Sequence, residues 1–356
     1  MERILPNRIY LDHAATTPMT AAARDAMARG LTLWANPSSP HAEGRAARAA
    51  LETARRDIAT AYGWRGETLL TGGASESLAI ALGRTTLQRR LVTAVEHDAV
   101  MRAGAGADVV PVGADGIVDL DALAAMLTAD PALVCVQWAN SETGVLQPIA
   151  GIAAVVHDAG GKLLVDAAQM PASAELAEIA DLVAVSAHKR GGPPGVGALL
   201  VRDLALLHPS GGQERGYRPG TENLPGVLGY AAAVAEAEPD HFALRARLDD
   251  AIVRSGGEIV AADSPRHPAI GSYRLRGSAA AAQLILLDSA GFAVSAGSAC
   301  SSGSMKPSHV LAAMGWDQAA GREVIRVSFG WTTTEGEVDA FIAAWRHMAR
   351  TTRRAA

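Results

Sequence analysis

Short apolar runs that alternate with helical patterns are the feature that most limits how this chain can fold. PALVCVQ, KLLVD and DLVAVS are apolar runs of strand length, and each is followed by a polar or glycine-rich turn. Between such runs, apolar residues recur at helical spacing, as in RAARAALETARRDIATAYG at 45–63, which ends on a glycine. Repetition of strand and helix predicts an α/β fold with a mostly parallel sheet covered by helices on both faces.

The pattern changes near residue 239, where a smaller α+β unit begins. Strands are predicted there near Ala269–Leu275 and Val324–Ser328. We therefore expect a large domain over residues 13–238 and a small domain built from residues 1–12 and 239–356. A chain of 356 residues is long enough to bury two cores.

Composition excludes several classes of partner. The net charge of −5 provides no general attraction to nucleic acid or to anionic membranes. Two cysteines do not make a disulfide framework, which favours a reducing compartment. The N-terminal segment lacks the apolar core of a secretory signal, and no apolar run reaches membrane-spanning length. We expect a cytoplasmic protein with no membrane or nucleic-acid partner and no metal site.

Polar side chains follow the predicted strands at their carboxyl ends. In a parallel sheet these ends meet at one edge, which is where such folds bind their ligands. The sequence therefore predicts a binding site at this edge, containing Ser75, His97, Asn140, Asp166, Gln169, His188 and Lys189.

Four of these positions together suit one cofactor, pyridoxal 5'-phosphate (PLP). Lys189, one of only three lysines, ends an apolar strand, where an amine loses its charge more easily and can form a Schiff base. Asp166 follows four apolar residues, and a protonated pyridine nitrogen would neutralise its buried carboxylate. TGGASES presents backbone N–H groups and the Ser75 hydroxyl to a phosphate, and His97 offers a flat ring for stacking. Each residue alone also fits an ordinary structural role; the combination favours PLP.

Several longer motifs resemble one family both in their residues and in their order along the chain. They are YLDHAATTP, NPSSPHAEGRAAR, TGGASES, EHDAV, ANSETGVLQP, VDAAQ, SAHKRGGPPGVGAL, GGQERGYRPGTEN and SAGSACSSGSMKPSHVLAAMG. They cover nearly the whole chain, which resembles the cysteine desulfurases of the class V aminotransferase group. The resemblance implies a PLP-dependent transferase of fold type I, with a seven-stranded sheet in the large domain.

The resemblance also implies roles for single residues. Lys189 would join the cofactor, Asp166 would pair with its pyridine nitrogen, and His97 would stack on the ring and act as acid and base. Other cofactor contacts would come from Ala74, Ser75, Asn140, Ser141, Gln169, Ser186 and His188, and from Thr221 of a second subunit, which implies a homodimer. Ser141 stands where the family usually has a second asparagine, and Gly191 stands where an aromatic residue is usual.

The same resemblance assigns the substrate site and a nucleophile. Arg326 would pair with the carboxylate of L-cysteine, and Asn36 would line that pocket. Cys300, in a small-residue loop at about 295–308 typical of the long-loop branch, would take the substrate sulfur as a persulfide and leave alanine. The sulfur would then pass to an acceptor protein, such as a scaffold for iron–sulfur cluster assembly.

Four other interpretations remain open from the sequence. The main alternative is a selenocysteine lyase or another class V lyase or aminotransferase, which need not use Cys300. A non-catalytic relative that serves as an interaction protein would explain Ser141 and Gly191. A dinucleotide-binding enzyme is disfavoured because GGPPGVG is not followed by a helical pattern. A cysteine hydrolase built on Cys300 and His309 lacks a third residue to orient the histidine.

Overall fold

The computed structural model describes residues 8–127, 130–297 and 307–355. Its strands are β1 (Ile9–Tyr10), β2 (Glu67–Thr71), β3 (Arg89–Thr93), β4 (Asp108–Val110), β5 (Ala132–Gln137), β6 (Lys162–Asp166), β7 (Leu182–Ser186), β8 (Gly197–Val201), β9 (Glu258–Ile259), β10 (Ile270–Arg274), β11 (Phe292–Ala293) and β12 (Val324–Ser328). Its helices are α1 (Ala21–Leu31), α2 (Ala42–Ala61), α3 (Ala74–Arg84), α4 (Asp98–Ala103), α5 (Leu120–Met126), α6 (Ile149–Asp158), α7 (Leu224–Val234), α8 (Phe242–Arg254), α9 (Ala280–Ser289), α10 (His309–Ala313), α11 (Gln318–Gly321) and α12 (Glu335–Ala355).

The largest sheet has seven strands in the order β2-β8-β7-β6-β5-β3-β4, which confirms the predicted fold class. All of its neighbouring strands are parallel except β8, which is antiparallel to both β7 and β2. The connection from β7 to β8 holds only a single 3-10 turn at Ala187–Lys189, and a parallel crossover needs a longer connection, usually a helix. The glycine- and proline-rich loop therefore reverses the chain and leaves Lys189 at the sheet edge.

Helices cover both faces of this sheet. Along β5, Val134 and Val136 pack into a core with α2, α6 and α7, whereas Leu133 and Cys135 face the opposite core with α3 and α4. Every residue of β5 is buried, which explains why its sequence reads as an unbroken apolar run. Each large apolar side chain fully buried in this way contributes about 1.5–3 kcal/mol relative to an exposed one.

A separate core lies in the C-terminal part of the chain. There β9, β10 and β12 form an antiparallel sheet, and β1 pairs in parallel with β11. Side chains of α8, α9 and α12 pack on these strands, with Tyr273 and Trp345 in edge-to-face contact at 6.3 Å. The strands predicted near 269–275 and 324–328 correspond to β10 and β12. The proposed domain limits at residues 13 and 239 stay a prediction.

Within the described ranges, the protein has no helix that combines the length and apolar character needed to cross a membrane.

Candidate active site

A cavity of about 410 Å³ lies at the carboxyl edge of the large sheet. It forms there because β2, β3, β5, β6 and β7 all point their carboxyl ends to this edge. The predicted site residues that line it are Ala74, Ser75, His97, Ser141, Asp166, Gln169, Ser186, His188, Lys189 and Arg326. The cavity is also lined by Asp12 and Gln137, which were not predicted from the sequence, and by Ser295–Gly297 at the start of the predicted small-residue loop.

The start of α3 forms one wall of the cavity. The N–H groups of Glu76 and Ser77 both donate to the Gly73 carbonyl at 3.1 Å, which begins the helix directly after the Gly-Gly turn. Gly73 has φ +141°, a conformation that glycine adopts readily, and a Cβ there would lie 3.8 Å from the Ser186 hydroxyl. The first N–H groups of a helix lack partners within the helix, and together with its dipole they attract an anion. This wall therefore suits a phosphate.

Lys189 reaches the cavity from the 3-10 turn after β7. Its Nζ donates to the carbonyl oxygen of Ala14 at 2.5 Å. Two residues later Gly191 has φ +71°, and a Cβ there would lie 2.6 Å from Cγ2 of Thr20. A larger side chain at position 191 would be strained and would collide with Thr20, so this turn requires a glycine.

Asp166 ends β6 with a buried carboxyl group. Its Oδ1 accepts the N–H of Ala168 at 3.0 Å. Burial raises the pKa of this carboxyl, while the hydrogen bond from Ala168 and the positive charge of Lys189 act in the opposite direction. A carboxylate at this position would be stabilised by a further cation in the cavity, and a protonated pyridine nitrogen is a cation of suitable shape.

His97 caps the N-terminus of α4, and its ring borders the cavity. Its Nδ1 accepts the N–H of Ala99 at 3.2 Å, so in the neutral ring the proton resides on Nε2. Burial lowers the pKa of His97, and the charge of Lys189 lowers it further. The neutral ring therefore has a defined tautomer, with its proton on Nε2.

Gln169 and His188 are held by the segment that follows β1. The side-chain amide of Gln169 donates to the Ala14 carbonyl at 3.0 Å, which is the same oxygen that Lys189 contacts. Nδ1 of His188 lies 3.1 Å from the hydroxyl oxygen of Thr16, and burial lowers the pKa of His188 to about 4. These contacts fix two polar side chains in the cavity wall.

Arg326 comes from β12, outside the large sheet. Its Nη2 donates to Oδ1 of Asp12 at 2.7 Å, and its Nη1 donates to the backbone oxygen of Ser141 at 2.7 Å. Its buried Nε has no hydrogen-bond partner among the described residues. The guanidinium group is thus fixed in the cavity wall with donor capacity left for a ligand, and a planar fork of donors suits a carboxylate.

Three predicted site residues do not line this cavity. Asn140 is buried, but its side chain is used by its own loop: Oδ1 accepts the N–H groups of Glu142 and Thr143 at 2.8 Å. Its Nδ2 donates to the Val95 carbonyl at 3.0 Å. The other two are Asn36 and Thr221, which are exposed. The predicted nucleophile Cys300 lies outside the described residues.

Two further carboxylates near the cavity, Asp12 and Glu142, were not predicted from the sequence as functional residues. Asp12 pairs with Arg326, and Glu142 accepts a hydrogen bond from the Ser308 hydroxyl at 2.6 Å. Both carboxylates lie in motifs that carry the family resemblance, YLDHAATTP and ANSETGVLQP. A polar residue next to a strand was the only sequence signal for either carboxylate. Such a signal does not indicate which distant side chain the carboxylate contacts.

Comparison with known proteins identifies the family. The family model of class-V aminotransferases matches residues 9–341. An IscS-like cysteine desulfurase from Mycobacterium tuberculosis is 38% identical over 98% of this chain and 98% of its own length. A solved structure of a NifS-like protein has a TM-score of 0.87 at 29% identity, covering 97% of this chain and all of that chain. The structure of SspA in complex with cysteine has a TM-score of 0.79 at 28% identity, covering 91% and 99%. The chain therefore belongs to the class-V aminotransferase family, among its cysteine desulfurases.

Proposed function

We propose that this chain is a PLP-dependent L-cysteine desulfurase that produces L-alanine and a persulfide on Cys300. The main support for the proposal is the set of chemical groups that line one cavity. Lys189, Asp166 and His97, the α3 N-terminus, and the guanidinium of Arg326 all line it. An amine, a carboxylate, a flat ring and an anion site suit the cofactor, and the guanidinium suits the carboxylate of an amino acid.

The residues present fit PLP by their chemistry. Gly73 precedes the N-terminus of α3, an end that attracts anions. Because it has no Cβ, the space beside Ser186 stays open. Asp166 carries a buried carboxyl that a pyridinium would neutralise. When bound, PLP supplies a sink for the electrons released at the substrate α-carbon.

Each cavity residue then has a proposed role in holding the cofactor. Asp166 pairs with the pyridine nitrogen, Gln169 contacts the phenolic oxygen, and His97 stacks on the ring. Phosphate contacts come from Ala74, Ser75, Ser186 and His188. Ser141 borders the ring with its small side chain, and Asn140 shapes the loop that carries it, since its amide is committed to backbone groups.

The chain's own residues perform the steps around the cofactor. Arg326 binds the carboxylate of L-cysteine, while Asp12 and the Ser141 carbonyl orient the guanidinium. Lys189 Nζ takes up and returns the proton of the α-carbon. His97 acts as a second acid and base through Nε2. The Cys300 thiolate attacks the substrate sulfur: an Sγ–S bond forms and the Cβ–S bond breaks. The electron pair of the broken bond stays with the carbon skeleton, which takes up a proton and leaves as alanine.

We further propose that the enzyme acts as a homodimer. Thr221 and Asn36 are exposed and lie outside the cavity of a single chain. A second subunit could bring both residues to the site, with Thr221 completing the phosphate contacts across the interface. The persulfide would pass to an acceptor protein, with iron–sulfur cluster assembly as the proposed destination, and the proposed compartment is the cytoplasm.

The two cysteines of the chain provide a matched test. Alanine released from L-cysteine is measured without added thiol for the wild type, Cys300→Ala and Cys135→Ala. Cys135 is fully buried in the core, so its removal leaves the reactive thiol in place. We expect one alanine per active site from the wild type and from Cys135→Ala, and none from Cys300→Ala. Equal alanine from all three would instead indicate a selenocysteine lyase or another class V lyase, which need not use Cys300.

A further inference from the structure

The segment that follows β1 runs between the second sheet and the turn that carries Lys189. At its start, the Leu11 carbonyl accepts the N–H of Ser328, the last residue of β12, at 2.8 Å. At its end, the N–H of Thr17 donates to the His188 carbonyl at 2.8 Å. Residues 11–17 are therefore bonded to β12 on one side and to the 3-10 turn of Lys189 on the other.

The hydroxyl of Ser328 holds the middle of this segment. Ser328 is fully buried, and its Oγ accepts the N–H of Ala14 at 2.9 Å. The same hydroxyl lies 3.4 Å from the Leu11 carbonyl, to which it donates. Because the hydroxyl is both a donor and an acceptor inside the fold, it fixes the orientation of Ala14 relative to β12.

The carbonyl of Ala14 points towards the proposed cofactor site. Its oxygen accepts Nζ of Lys189 at 2.5 Å and Nε2 of Gln169 at 3.0 Å. Ala14 itself is buried and lines the cavity. The position of the Lys189 amine therefore depends on the direction of one carbonyl group, and Ser328 holds the residue that carries it.

Strand β12 reaches the same segment through a second side chain. Arg326 lies two residues before Ser328, and alternate residues of a strand share a face. Its guanidinium donates to Oδ1 of Asp12 at 2.7 Å. One strand thus holds both the proposed carboxylate-binding group and, through Ala14, the amine, which keeps the distance between them constant.

We propose that Ser328 is a positioning residue for Lys189. Its hydroxyl holds the Ala14 carbonyl in the place where it receives the Lys189 amine whenever that amine is not joined to the cofactor. The inference rests on the proposed function, because it assigns to Lys189 the proton transfer at the α-carbon of the substrate. A lysine amine sits on a flexible four-carbon stem, so a fixed acceptor limits the positions from which it can take that proton.

The first test follows the Lys189 amine itself, in the full-length protein without cofactor. Acetylation by acetic anhydride is measured over a range of pH on the Lys189 and Lys162 peptides by mass spectrometry. In Ser328→Ala we expect the pH midpoint for Lys189 to fall by about 0.5–1 unit, because a carbonyl acceptor favours the ammonium form over the neutral amine. Lys162 pairs with Asp181 at 3.2 Å at the opposite edge of the sheet and should keep its midpoint.

Two variants separate this effect from general loss of stability. Ser255→Ala removes another buried hydroxyl, which donates to the Ala251 carbonyl in α8 at 2.6 Å, and should leave the Lys189 midpoint unchanged. Ser328→Thr keeps a hydroxyl at the same position, on a strand where a β-branched residue is favoured, and should also keep the wild-type midpoint.

The other groups that act electrostatically on the amine stay in place in every variant. Asp166, His97 and His188 each interact with the charge of Lys189. They come from β6, from the start of α4 and from the residue before Lys189, and the substitutions alter none of them. A change in the midpoint therefore reports the contact with Ala14.

The second test measures proton transfer in the holoenzyme. Exchange of the α-hydrogen of L-alanine with deuterated water requires the cofactor and Lys189 but not Cys300. We expect Ser328→Ala to slow the maximal exchange rate about tenfold, because the amine is placed less precisely. The L-alanine concentration at half the maximal rate should change less, since Arg326 keeps its contacts.

Three results would overturn the inference. They are a wild-type Lys189 midpoint in Ser328→Ala, an equal fall of the midpoint in Ser255→Ala, and an equal fall in Ser328→Thr. The proposed function can fail separately: a wild type that exchanges the α-hydrogen of L-alanine but forms no alanine from L-cysteine would contradict the desulfurase proposal. The labelling of Lys189 would still decide the role of Ser328 in that case.

Discussion

Arg326 and Asp12 form an ion pair across 314 positions of sequence, with Nη2 2.7 Å from Oδ1. The pair joins the segment after β1 to β12 at the wall of the cavity. A second donor of the same guanidinium reaches the backbone oxygen of Ser141. Arg326 is thereby oriented by two elements of the chain while its remaining donors are left for a substrate carboxylate.

Replacing Arg326 with lysine should weaken substrate binding. A lysine is a point charge and cannot contact Asp12, the Ser141 carbonyl and a carboxylate in one planar arrangement. We expect KM for L-cysteine to rise about tenfold or more, corresponding to ~1.4 kcal/mol or more, with a smaller change in kcat. Arg274→Lys, in the neighbouring strand β10, is the matched control and should leave KM unchanged. An Arg326→Lys enzyme with wild-type KM would contradict the proposed carboxylate contact.

Gly73→Ala should weaken cofactor binding. The backbone at Gly73 has φ +141°, where an alanine is strained by about 1–3 kcal/mol, and the new methyl would enter the space beside Ser186. We expect the dissociation constant for PLP, measured by titrating the apoprotein, to rise about 5- to 100-fold. Gly83→Ala in the same helix meets no atom within 4 Å and should bind PLP as the wild type does. Equal affinities of the two variants would argue against a phosphate at the α3 N-terminus.

Two substitutions of His97 distinguish the stacking role of its ring from its role in proton transfer. Phenylalanine keeps a flat ring but carries no proton, whereas asparagine keeps the N-cap contact to Ala99 and removes the ring. We expect His97→Phe to bind PLP but to turn over about 100-fold more slowly or worse. His97→Asn should lose cofactor affinity as well. Wild-type turnover by His97→Phe would exclude acid–base work by this residue; exposed His347, replaced in the same way, serves as the control.

Glu96 should make the stability of the protein depend on pH. Burial raises the pKa of this carboxyl to about 8, above its value in the unfolded chain. The folded state therefore binds the proton of Glu96 more tightly than the unfolded chain does, and protonation stabilises the fold. This contribution to the free energy of unfolding is complete below a pH of about 4.5 and is lost as the pH rises through about 8. Glu96→Gln cannot titrate. We expect the free energy of unfolding of the variant, relative to wild type, to rise between pH 5 and pH 8.5.

Urea unfolding of both holoproteins at the two pH values measures this difference. Glutamine keeps an oxygen that accepts the hydroxyl of Thr93 and the N–H of Gln137, which now bond Oε1 at 2.6 and 2.9 Å. The variant should therefore stay folded and bind PLP. If the difference in unfolding free energy between Glu96→Gln and the wild type does not change with pH, the pKa of Glu96 is not raised by folding.

The sequence predicted most of what lies at the sheet edge, because the argument there needs only local patterns. Lys189, Asp166 and His97 each follow an apolar strand, and parallel strands bring their carboxyl ends together. In the structure the three residues line one cavity. The antiparallel direction of β8 was not predicted, although the absence of a helical pattern in GGPPGVG was a signal for it.

Contacts between distant segments were not predictable from one sequence. Arg326 was assigned only by resemblance, since it comes from the second sheet, and its partner Asp12 lies near the other end of the chain. The pairing of Glu142 with Ser308 likewise depends on how β10 and α10 pack against the loop after β5. Periodicity and turn signals specify local elements, whereas such pairs depend on packing across the whole molecule.

The most direct test of the desulfurase account is the mass of the Cys300 peptide after a single turnover with L-cysteine. The holoenzyme is mixed with L-cysteine in the absence of other thiols, free persulfides are blocked by alkylation, and alanine is measured in the same sample. The account predicts one added sulfur atom on Cys300 and none on Cys135, with one alanine formed for each sulfur retained. Alanine formed in full yield while Cys300 carries no added sulfur would contradict it.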